Sequence, residues 1–248
     1  MTVGKEKIQP AILENISLEI KPQMILALVG GSGSGKTTTG LVILRLLPPA
    51  LNIQKGKIHF QGNELLSSLE SHMRGIRGKE ISVVFQEPLY AFNPVFSMGS
   101  QIEEVLRFHT SFNRRQRQQK VLELLKLVEI PDPLRVVKSY PHQLSGGMRQ
   151  RAMIAQAIAA GPKLLIADEP TSNLDVTLQA KIMDLFRHLK DQLKLSILLI
   201  THDLGMVSHL ADEIAVMTKG RIVEFGGTQA ILENPKHEYT KELLKIFR

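Results

Sequence analysis

The sequence lacks cysteine altogether, and this absence excludes disulfides, zinc–thiolate centres and iron–sulfur clusters. Tryptophan is also absent, and aromatic residues make up only 5% of the chain. No apolar run approaches the ~20 residues that a membrane-spanning helix needs. The N-terminal MTVGKEKIQP has no apolar core of the kind found in secretory signals. We therefore expect a soluble protein without a transmembrane segment, which works in the cytoplasm and meets a membrane only at its periphery.

Negative charge is also scarce, because 24 acidic residues face 31 basic ones and leave a net charge of +7. Such a balance suits either a nucleic acid or an anionic membrane surface. The densest basic stretch, residues 113–120, leads into apolar residues at helical spacing, which indicates the solvated face of an amphipathic helix. It lacks the interleaved aromatic residues that single-strand binding would use. We therefore expect no nucleic-acid partner.

What the sequence does contain is an alternation of strand-like and helix-like segments, in 248 residues of which 43% are hydrophobic. Runs of Leu, Ile, Val and Ala at 24–29, 164–167 and 197–200 are typical of parallel strands covered on both faces. Between about 97 and 160, helical periodicity replaces the strand signal and indicates an inserted helical subdomain. The pattern predicts an α/β fold with strands at 16–20, 24–29, 57–60, 81–85, 164–167, 197–200, 214–217 and 221–225, the last two forming an antiparallel hairpin.

The clearest functional motif is GGSGSGKT at residues 30–37, a full match to the phosphate-binding pattern GxxxxGK[ST]. It lies between the strand at 24–29 and a helical pattern at 38–47, so backbone N–H groups and the helix dipole point at one place. Lys36 can then reach the β- and γ-phosphates, and the Thr37 hydroxyl can hold Mg²⁺. The motif predicts a nucleoside-triphosphate site formed by Gly30, Gly31, Ser32, Gly33, Ser34, Gly35, Lys36, Thr37 and Thr38.

Two further motifs follow downstream. Asp168 and Glu169 end the apolar run at 164–167. At the carboxyl edge of a sheet, beside a phosphate loop, the first acid suits Mg²⁺ and the second suits a base acting on water. The sequence LSGG at 144–147 is a second loop-to-helix start, with Ser145 as its N-cap, and it forms another anion-binding helix terminus. One triphosphate has no need of two such sites in one chain.

With these motifs in this order, essentially the whole chain resembles the ATP-binding cassette (ABC) family. The resemblance implies a P-loop NTPase core of α/β type, with an inserted helical subdomain and an N-terminal antiparallel β element. It implies one ATP-binding domain over 1–248, with the core at 1–96 and 161–248 and the helical subdomain at about 97–160. It also implies an ATPase that uses ATP and Mg²⁺.

The resemblance also assigns roles to single residues. The implied catalytic residues are Glu169, His202 and Gln86, and the implied Mg²⁺ ligands are Thr37, Gln86 and Asp168. The family's signature motif, which closes on the ATP of a partner subunit, falls on Ser145, Gly146, Gly147 and Met148, and the D-loop at 172–175 includes Asp175. The family usually has an aromatic residue upstream of the phosphate loop to stack on adenine. Here no aromatic residue precedes Phe60, so Ile8 or a neighbour would make a looser, apolar contact with the base.

One branch of the family, the dipeptide, oligopeptide and nickel importers, resembles this chain in the segments HQLSGGMRQR, FQEPLYAFNP and NPKHEYTKELL. Gly31 stands where peptide members commonly have Glu, which favours nickel or a metal chelate slightly over peptides. The branch implies a second, different ATP-binding subunit, two membrane permease subunits and an extracytoplasmic substrate-binding protein, with this chain on the cytoplasmic face of the membrane. A non-transport ABC ATPase acting on nucleic acid and the ATPase subunit of an exporter remain alternatives.

Residues 88–94 carry Tyr90 and Phe92 between two prolines. These aromatic side chains suit either a loop packed on the core or a groove that receives a short cytoplasmic helix of a membrane subunit. We expect the groove.

Overall fold

The computed structural model of the protein describes residues 11–172 and 174–246. The strands in this part of the chain are β1 (Ile25–Val29), β2 (His59–Phe60), β3 (Asn63–Glu64), β4 (Ile81–Val84), β5 (Leu164–Asp168), β6 (Ser196–Thr201), β7 (Glu213–Thr218) and β8 (Arg221–Gly227). The helices are α1 (Lys36–Ile43), α2 (Glu70–Ile76), α3 (Pro88–Ala91), α4 (Met98–His109), α5 (Arg114–Leu127), α6 (Pro133–Lys138), α7 (Gly146–Ile158), α8 (Val176–Leu193), α9 (Leu204–Val207), α10 (Thr228–Glu233) and α11 (Glu238–Ile246), with a 3₁₀ turn at Pro141–Gln143. None of these helices combines the length and the apolar character that a bilayer span demands.

One six-stranded sheet, in the order β4-β5-β6-β1-β7-β8, carries the fold. Strands β4, β5, β6, β1 and β7 pair in parallel, and β8 closes the sheet antiparallel to β7. The side chains of β1 are buried on both faces, as its continuous apolar sequence requires. The predicted α/β fold with a mostly parallel sheet is therefore confirmed.

The two faces of the sheet belong to two hydrophobic cores. Ile25, Ala27 and Val29 of β1 point into a large core, which includes the apolar faces of α4, α5 and α7. Leu26 and Leu28 point into a smaller core, which includes residues of α1, α2 and the β2–β3 hairpin. The strand that leads into the phosphate loop is thus held from both sides.

The chain between β4 and β5 is helical, as helical periodicity predicts. Ser97, Asn113, Asp132 and Ser145 cap the N-termini of α4, α5, α6 and α7 through side-chain oxygens that accept backbone N–H bonds. The basic stretch 113–120 begins α5, as expected for an amphipathic helix.

The N-terminal prediction is wrong in one respect, because residues 16–20 form no strand. Ile16, Leu18 and Ile20 alternate toward the smaller core, which explains the strand-like pattern. They have no ladder of backbone hydrogen bonds to any other described segment, and such a ladder is what makes a strand. Among residues 11–172, the short β2–β3 pair is antiparallel. The predicted β7–β8 hairpin is confirmed, and Lys219 and Gly220 both have positive φ (47° and 76°), as a type I′ turn requires.

Candidate active site

The sheet topology brings the predicted polar residues to one edge. Strands β5, β6 and β1 are neighbours, and Val29 is aligned with Thr201 while Asp168 is aligned with Ile200. The residues that follow the three strand ends therefore meet at the carboxyl edge of the sheet, where ligands of open α/β folds bind.

The phosphate loop, residues 30–35, leaves β1 and turns directly into α1. Gly33 and Gly35 have φ of 75° and 105°, a region that favours glycine. A Cβ atom on Gly30 would lie 2.1 Å from the carbonyl oxygen of Met217 in β7, and one on Gly35 would lie 2.7 Å from Leu13. The glycines are therefore needed for close packing as well as for the turn.

Lys36, the first residue of α1, folds back over this loop. Its ammonium group donates hydrogen bonds to the carbonyl oxygens of Gly30 (2.7 Å) and Gly31 (3.0 Å). Burial lowers the pKa of Lys36, although the charges of Glu169 and Asp168 act in the opposite direction. A cation held in a low-dielectric site beside a helix N-terminus is suited to binding phosphate oxygens.

Thr37 and Asp168 form a pair of hard oxygen ligands. The Thr37 hydroxyl donates to Oδ1 of Asp168 at 3.2 Å, and Asp168 is only 9% exposed. Burial raises the pKa of Asp168 because it disfavours the ionised carboxylate. A cation bound nearby would counter this effect and stabilise the ionised form. The described residues contain no cluster of three or more His, Cys, Asp or Glu side chains that could hold a metal ion alone. These oxygens fit Mg²⁺, which is usually bound by one or two carboxylates together with substrate phosphates and water.

Glu169 and His202 form a second pair at the same edge. Both carboxylate oxygens of Glu169 lie 2.9 Å from Nδ1 of His202. Glu169 has φ of 46°, a conformation that costs a non-glycine residue free energy and is often found at functional sites. The pair places a carboxylate that can accept a proton next to a ring that can orient it.

Gln86 lies in the loop after β4 and borders a cleft of about 600 Å³. Its backbone oxygen accepts a hydrogen bond from Ser172 at 3.1 Å. Thr37 and Asp168 also line the cleft, and most of its other lining side chains are apolar, including those of Leu41, Val83, Phe85, Tyr90, Ile166 and Ile200. Gln86, Thr37 and Asp168 therefore face one space.

The signature residues are not part of this constellation. Ser145 is exposed, and its hydroxyl accepts a bond from the Met148 amide at 3.4 Å as the N-cap of α7. Cβ atoms on Gly146 and Gly147 would contact Leu174 and Leu178, so the turn packs against the start of α8. No hydrogen bond within residues 11–172 and 174–246 joins it to the phosphate loop.

Asp175 caps α8, and its Oδ1 accepts a bond from the Leu178 amide at 2.9 Å. The rest of the D-loop includes Asn173, which lies outside the described residues, as does Ile8, the candidate adenine contact.

The prediction that Tyr90 and Phe92 both line a groove for a membrane subunit is wrong for Phe92. Tyr90 is 84% exposed, but Phe92 is only 3% exposed and belongs to the large core. The next exposed apolar residues along the chain are Val95 and Phe96. A pattern of two aromatic residues between prolines does not say which one points inward.

One contact of the phosphate loop is not predictable from the sequence motif. The Gly31 amide donates a hydrogen bond to the hydroxyl of Tyr239 in α11 at 2.9 Å, across 208 residues of sequence. The segment NPKHEYTKELL resembles one branch of the family, but no local pattern in it indicates such a contact.

The parallel sheet, the phosphate loop and the acids at the neighbouring strand ends define a nucleoside triphosphatase of the phosphate-loop class. The family model for "ABC transporter" matches residues 13–172, and a second model, for an AAA domain, matches 137–208. The first covers more than half of the chain, which therefore belongs to the ABC transporter family as an ATP-binding domain.

Named relatives agree with this assignment. The chain is 48% identical over 233 residues to the peptidoglycan transport ATP-binding protein YejF of Agrobacterium fabrum, covering 94% of this chain but 43% of that protein. It is 46% identical over 233 residues to the oligopeptide transport ATP-binding protein OppD of Bacillus subtilis, covering 94% of this chain and 65% of that protein. The chain thus spans less than half of the length of the first relative and about two-thirds of the length of the second.

Among solved structures, the ADP- and phosphate-bound dimer of the ATP-binding cassette MJ0796, in a post-hydrolysis state, superposes with a TM-score of 0.78 at 28% identity. The match covers 92% of this chain and 94% of that one.

Proposed function

We propose that this chain is the ATP-hydrolysing subunit of an importer for peptides. The observation that carries the proposal is the meeting of Lys36, the Thr37–Asp168 pair and the Glu169–His202 pair at one sheet edge. Relatives of this chain carry names of oligopeptide and peptidoglycan transport proteins, which supports the transport role, and the first of these names supports peptides as the substrate class.

In the proposed reaction the loop amides and Lys36 bind the phosphates of ATP. Thr37, Asp168 and Gln86 would hold Mg²⁺, which supplies positive charge for the developing charge on the phosphates. Glu169 accepts a proton from the attacking water, and His202, bonded to Glu169, orients that carboxylate and contacts the γ-phosphate.

A second cassette completes each site in this proposal. Ser145 and Gly146 are exposed at the N-terminus of α7, which leaves that terminus free to meet a phosphate bound to another subunit. The dimeric arrangement of MJ0796 supports such a pairing. ATP then favours the closed pair, and hydrolysis removes the contacts that favour it.

Peptides are a better-supported cargo than nickel. The case for nickel or a metal chelate depends on Gly31, where a glycine replaces the glutamate common in peptide members. In this chain Gly31 contacts Tyr239, so its identity has a structural reason that does not involve cargo. The cargo itself would bind to other subunits.

Coupling to transport requires a contact with a membrane subunit at the cytoplasmic face. Leu89 and Tyr90 of α3, with Val95 and Phe96 beyond it, expose apolar surface next to the cleft at Gln86. A movement of Gln86 would therefore displace this apolar surface. The surface suits binding of a short helix of a permease.

The test is to purify the chain with its native membrane complex, reconstitute it in liposomes and measure ATP-driven uptake of di- and oligopeptides and of nickel. We expect peptide uptake that depends on ATP. Uptake of nickel alone would replace the cargo assignment, and ATP turnover stimulated by nucleic acid without any uptake would reject the transport role.

A further inference from the structure

Helix α11 reaches the phosphate loop through a polar contact between Tyr239 and Gly31. The Tyr239 hydroxyl accepts the Gly31 amide hydrogen bond at 2.9 Å, and the Tyr239 ring packs at the edge of the large core. Leu243 and Leu244 of the same helix are buried in that core. The hydroxyl is therefore carried by a helix that is fixed to the body of the protein.

The contact acts on the same peptide group that Lys36 contacts. The peptide between Gly30 and Gly31 offers its carbonyl oxygen to the Lys36 ammonium group at 2.7 Å and its N–H to Tyr239. In a trans peptide these two groups point in opposite directions, and the described residues include no cis peptide. A rotation of this peptide would break both hydrogen bonds, so Tyr239 and Lys36 hold it from opposite sides.

The base of α11 is itself anchored to the sheet. The Glu224 carboxylate in β8 accepts hydrogen bonds from the amides of Lys236 (2.7 Å) and His237 (3.1 Å). The His237 ring accepts a bond from the Tyr239 amide at 3.1 Å. A chain of contacts thus runs from β8 to Tyr239 and on to the phosphate loop.

We propose that Tyr239 is a positioning residue for nucleotide binding, which acts by fixing the Gly30–Gly31 peptide and thereby the Lys36 ammonium group. The inference rests on the proposed binding of ATP at residues 30–38. Gly31 and Tyr239 act as a matched pair, because a Cβ atom on Gly31 would lie 3.2 Å from the Tyr239 hydroxyl. Helix α11 thereby contributes to the phosphate site, although Tyr239 lies about 200 residues after Lys36 in the sequence.

The first test is Tyr239→Phe, which removes only the hydroxyl. We expect the Kd and the KM for Mg–ATP to rise about three- to ten-fold, as for the loss of one hydrogen bond, with kcat unchanged because the lost contact serves bound substrate and transition state alike. Tyr140→Phe is the matched control, since Tyr140 stacks on His142 through its ring. Unfolding in urea without nucleotide reports any general loss of stability.

The outcomes separate the two proposals. If the unaltered protein fails to bind Mg–ATP, the proposed function is wrong. If it binds, and Tyr239→Phe binds equally well, only the positioning role is rejected. The role is also rejected if the whole effect appears in kcat or matches that of Tyr140→Phe.

A second variant tests the pairing and does not depend on Tyr239→Phe alone. In a double-mutant cycle, Gly31→Ala should weaken Mg–ATP binding less when residue 239 is phenylalanine, because the hydroxyl that its Cβ approaches is gone. If the fold-change in the Kd for Mg–ATP of the double variant equals the product of the two single fold-changes, the two positions act independently and the pairing is overturned.

Discussion

The phosphate loop before α1 and the signature turn before α7 are both glycine-containing turns that open a helix, but their surroundings differ. In the phosphate loop Gly30, Ser34, Gly35 and Lys36 are buried, and the loop contacts β7 and α11. In the signature turn Ser145 is exposed, and among the described residues its hydroxyl makes only the capping bond to the Met148 amide.

The difference agrees with the proposal that the two turns form the two halves of a site shared between two subunits. A loop that must hold phosphates by itself needs its backbone fixed by long-range contacts. A turn that completes the site of another subunit needs only a stable helix start and an open surface. The four predictions that follow test this contrast, beginning with the largest expected effect.

The first prediction concerns Glu169, the proposed base for ATP hydrolysis, which lies at the same sheet edge as the phosphate loop. Glu169→Gln should reduce ATP turnover by about 100-fold or more while ATP binding persists, because the amide keeps the size of the side chain but cannot accept the proton of water. Steady-state turnover and equilibrium binding of Mg–ATP measure the two effects separately.

Glu123→Gln on the exposed surface of α5, where the carboxylate meets Lys120 at 3.5 Å, is the matched control and should leave turnover unchanged. Normal turnover in Glu169→Gln would remove Glu169 from the role of base.

The second prediction compares a glycine from each turn. Gly30→Ala should destabilise the fold by about 1–3 kcal/mol, because its Cβ would lie 2.1 Å from a backbone oxygen in β7 that cannot move aside. Gly146→Ala should cost little or even stabilise α7 by up to about 1 kcal/mol, since its Cβ would meet Leu174 at an ordinary 3.7 Å. Urea unfolding of both variants checks the difference. Equal stability would contradict the contrast in packing.

The third prediction separates capping from partner contact. Ser145→Ala should lower the free energy of unfolding by about 0.5–1 kcal/mol as a lost N-cap, and it should also reduce turnover about three- to ten-fold if the hydroxyl binds the partner's ATP. Ser97→Ala removes the equivalent cap of α4, where the Ser97 hydroxyl accepts the Ser100 amide at 3.3 Å.

Both variants should therefore lose similar stability, but only Ser145→Ala should lose turnover. If Ser97→Ala impairs turnover equally, the signature residue does no more than cap its helix.

Much of the fold was predictable, because the buried parallel strands are uninterrupted apolar runs and the polar residues follow their carboxyl ends. That Asp168, Glu169 and His202 lie at one edge follows from the neighbouring positions of β5, β6 and β1. Local sequence is sufficient here because each strand end is marked by its own motif.

The features that sequence could not predict depend on distant contacts. Residues 16–20 alternate like a strand, yet strand formation needs a partner with free hydrogen-bonding groups. Tyr90 and Phe92 are both aromatic residues between the same two prolines, and only the packing of the large core makes Phe92 buried while Tyr90 is exposed. The contact of Tyr239 with Gly31 joins residues 208 positions apart, for which one sequence carries no signal.

The fourth and smallest effect concerns the anchor of α11 behind the phosphate loop, for which the signature turn has no counterpart among the contacts described. Burial acts to raise the pKa of Glu224, but the hydrogen bonds that its carboxylate accepts, including those from the Lys236 and His237 amides, outweigh burial and lower the pKa overall. A lowered pKa in the folded protein means that ionised Glu224 stabilises the fold at pH values above its ordinary pKa, and that this contribution is lost as the pH falls through the lower pKa of the folded protein.

Glu224→Gln should therefore flatten the decline in unfolding free energy between neutral and acidic pH, with Glu242→Gln on the exposed side of α11 as the matched control. Urea unfolding across that range measures the decline, which should be under about 1 kcal/mol because the carboxylate is partly exposed and its interactions are screened. The same anchor carries Tyr239, so Glu224→Gln should also weaken Mg–ATP binding slightly at neutral pH, whereas Ser97→Ala should not. An unaltered pH profile together with unaltered binding would mean that α11 is held by its buried leucines alone, and that the phosphate loop is less dependent on the C-terminal segment than its hydrogen bonds indicate.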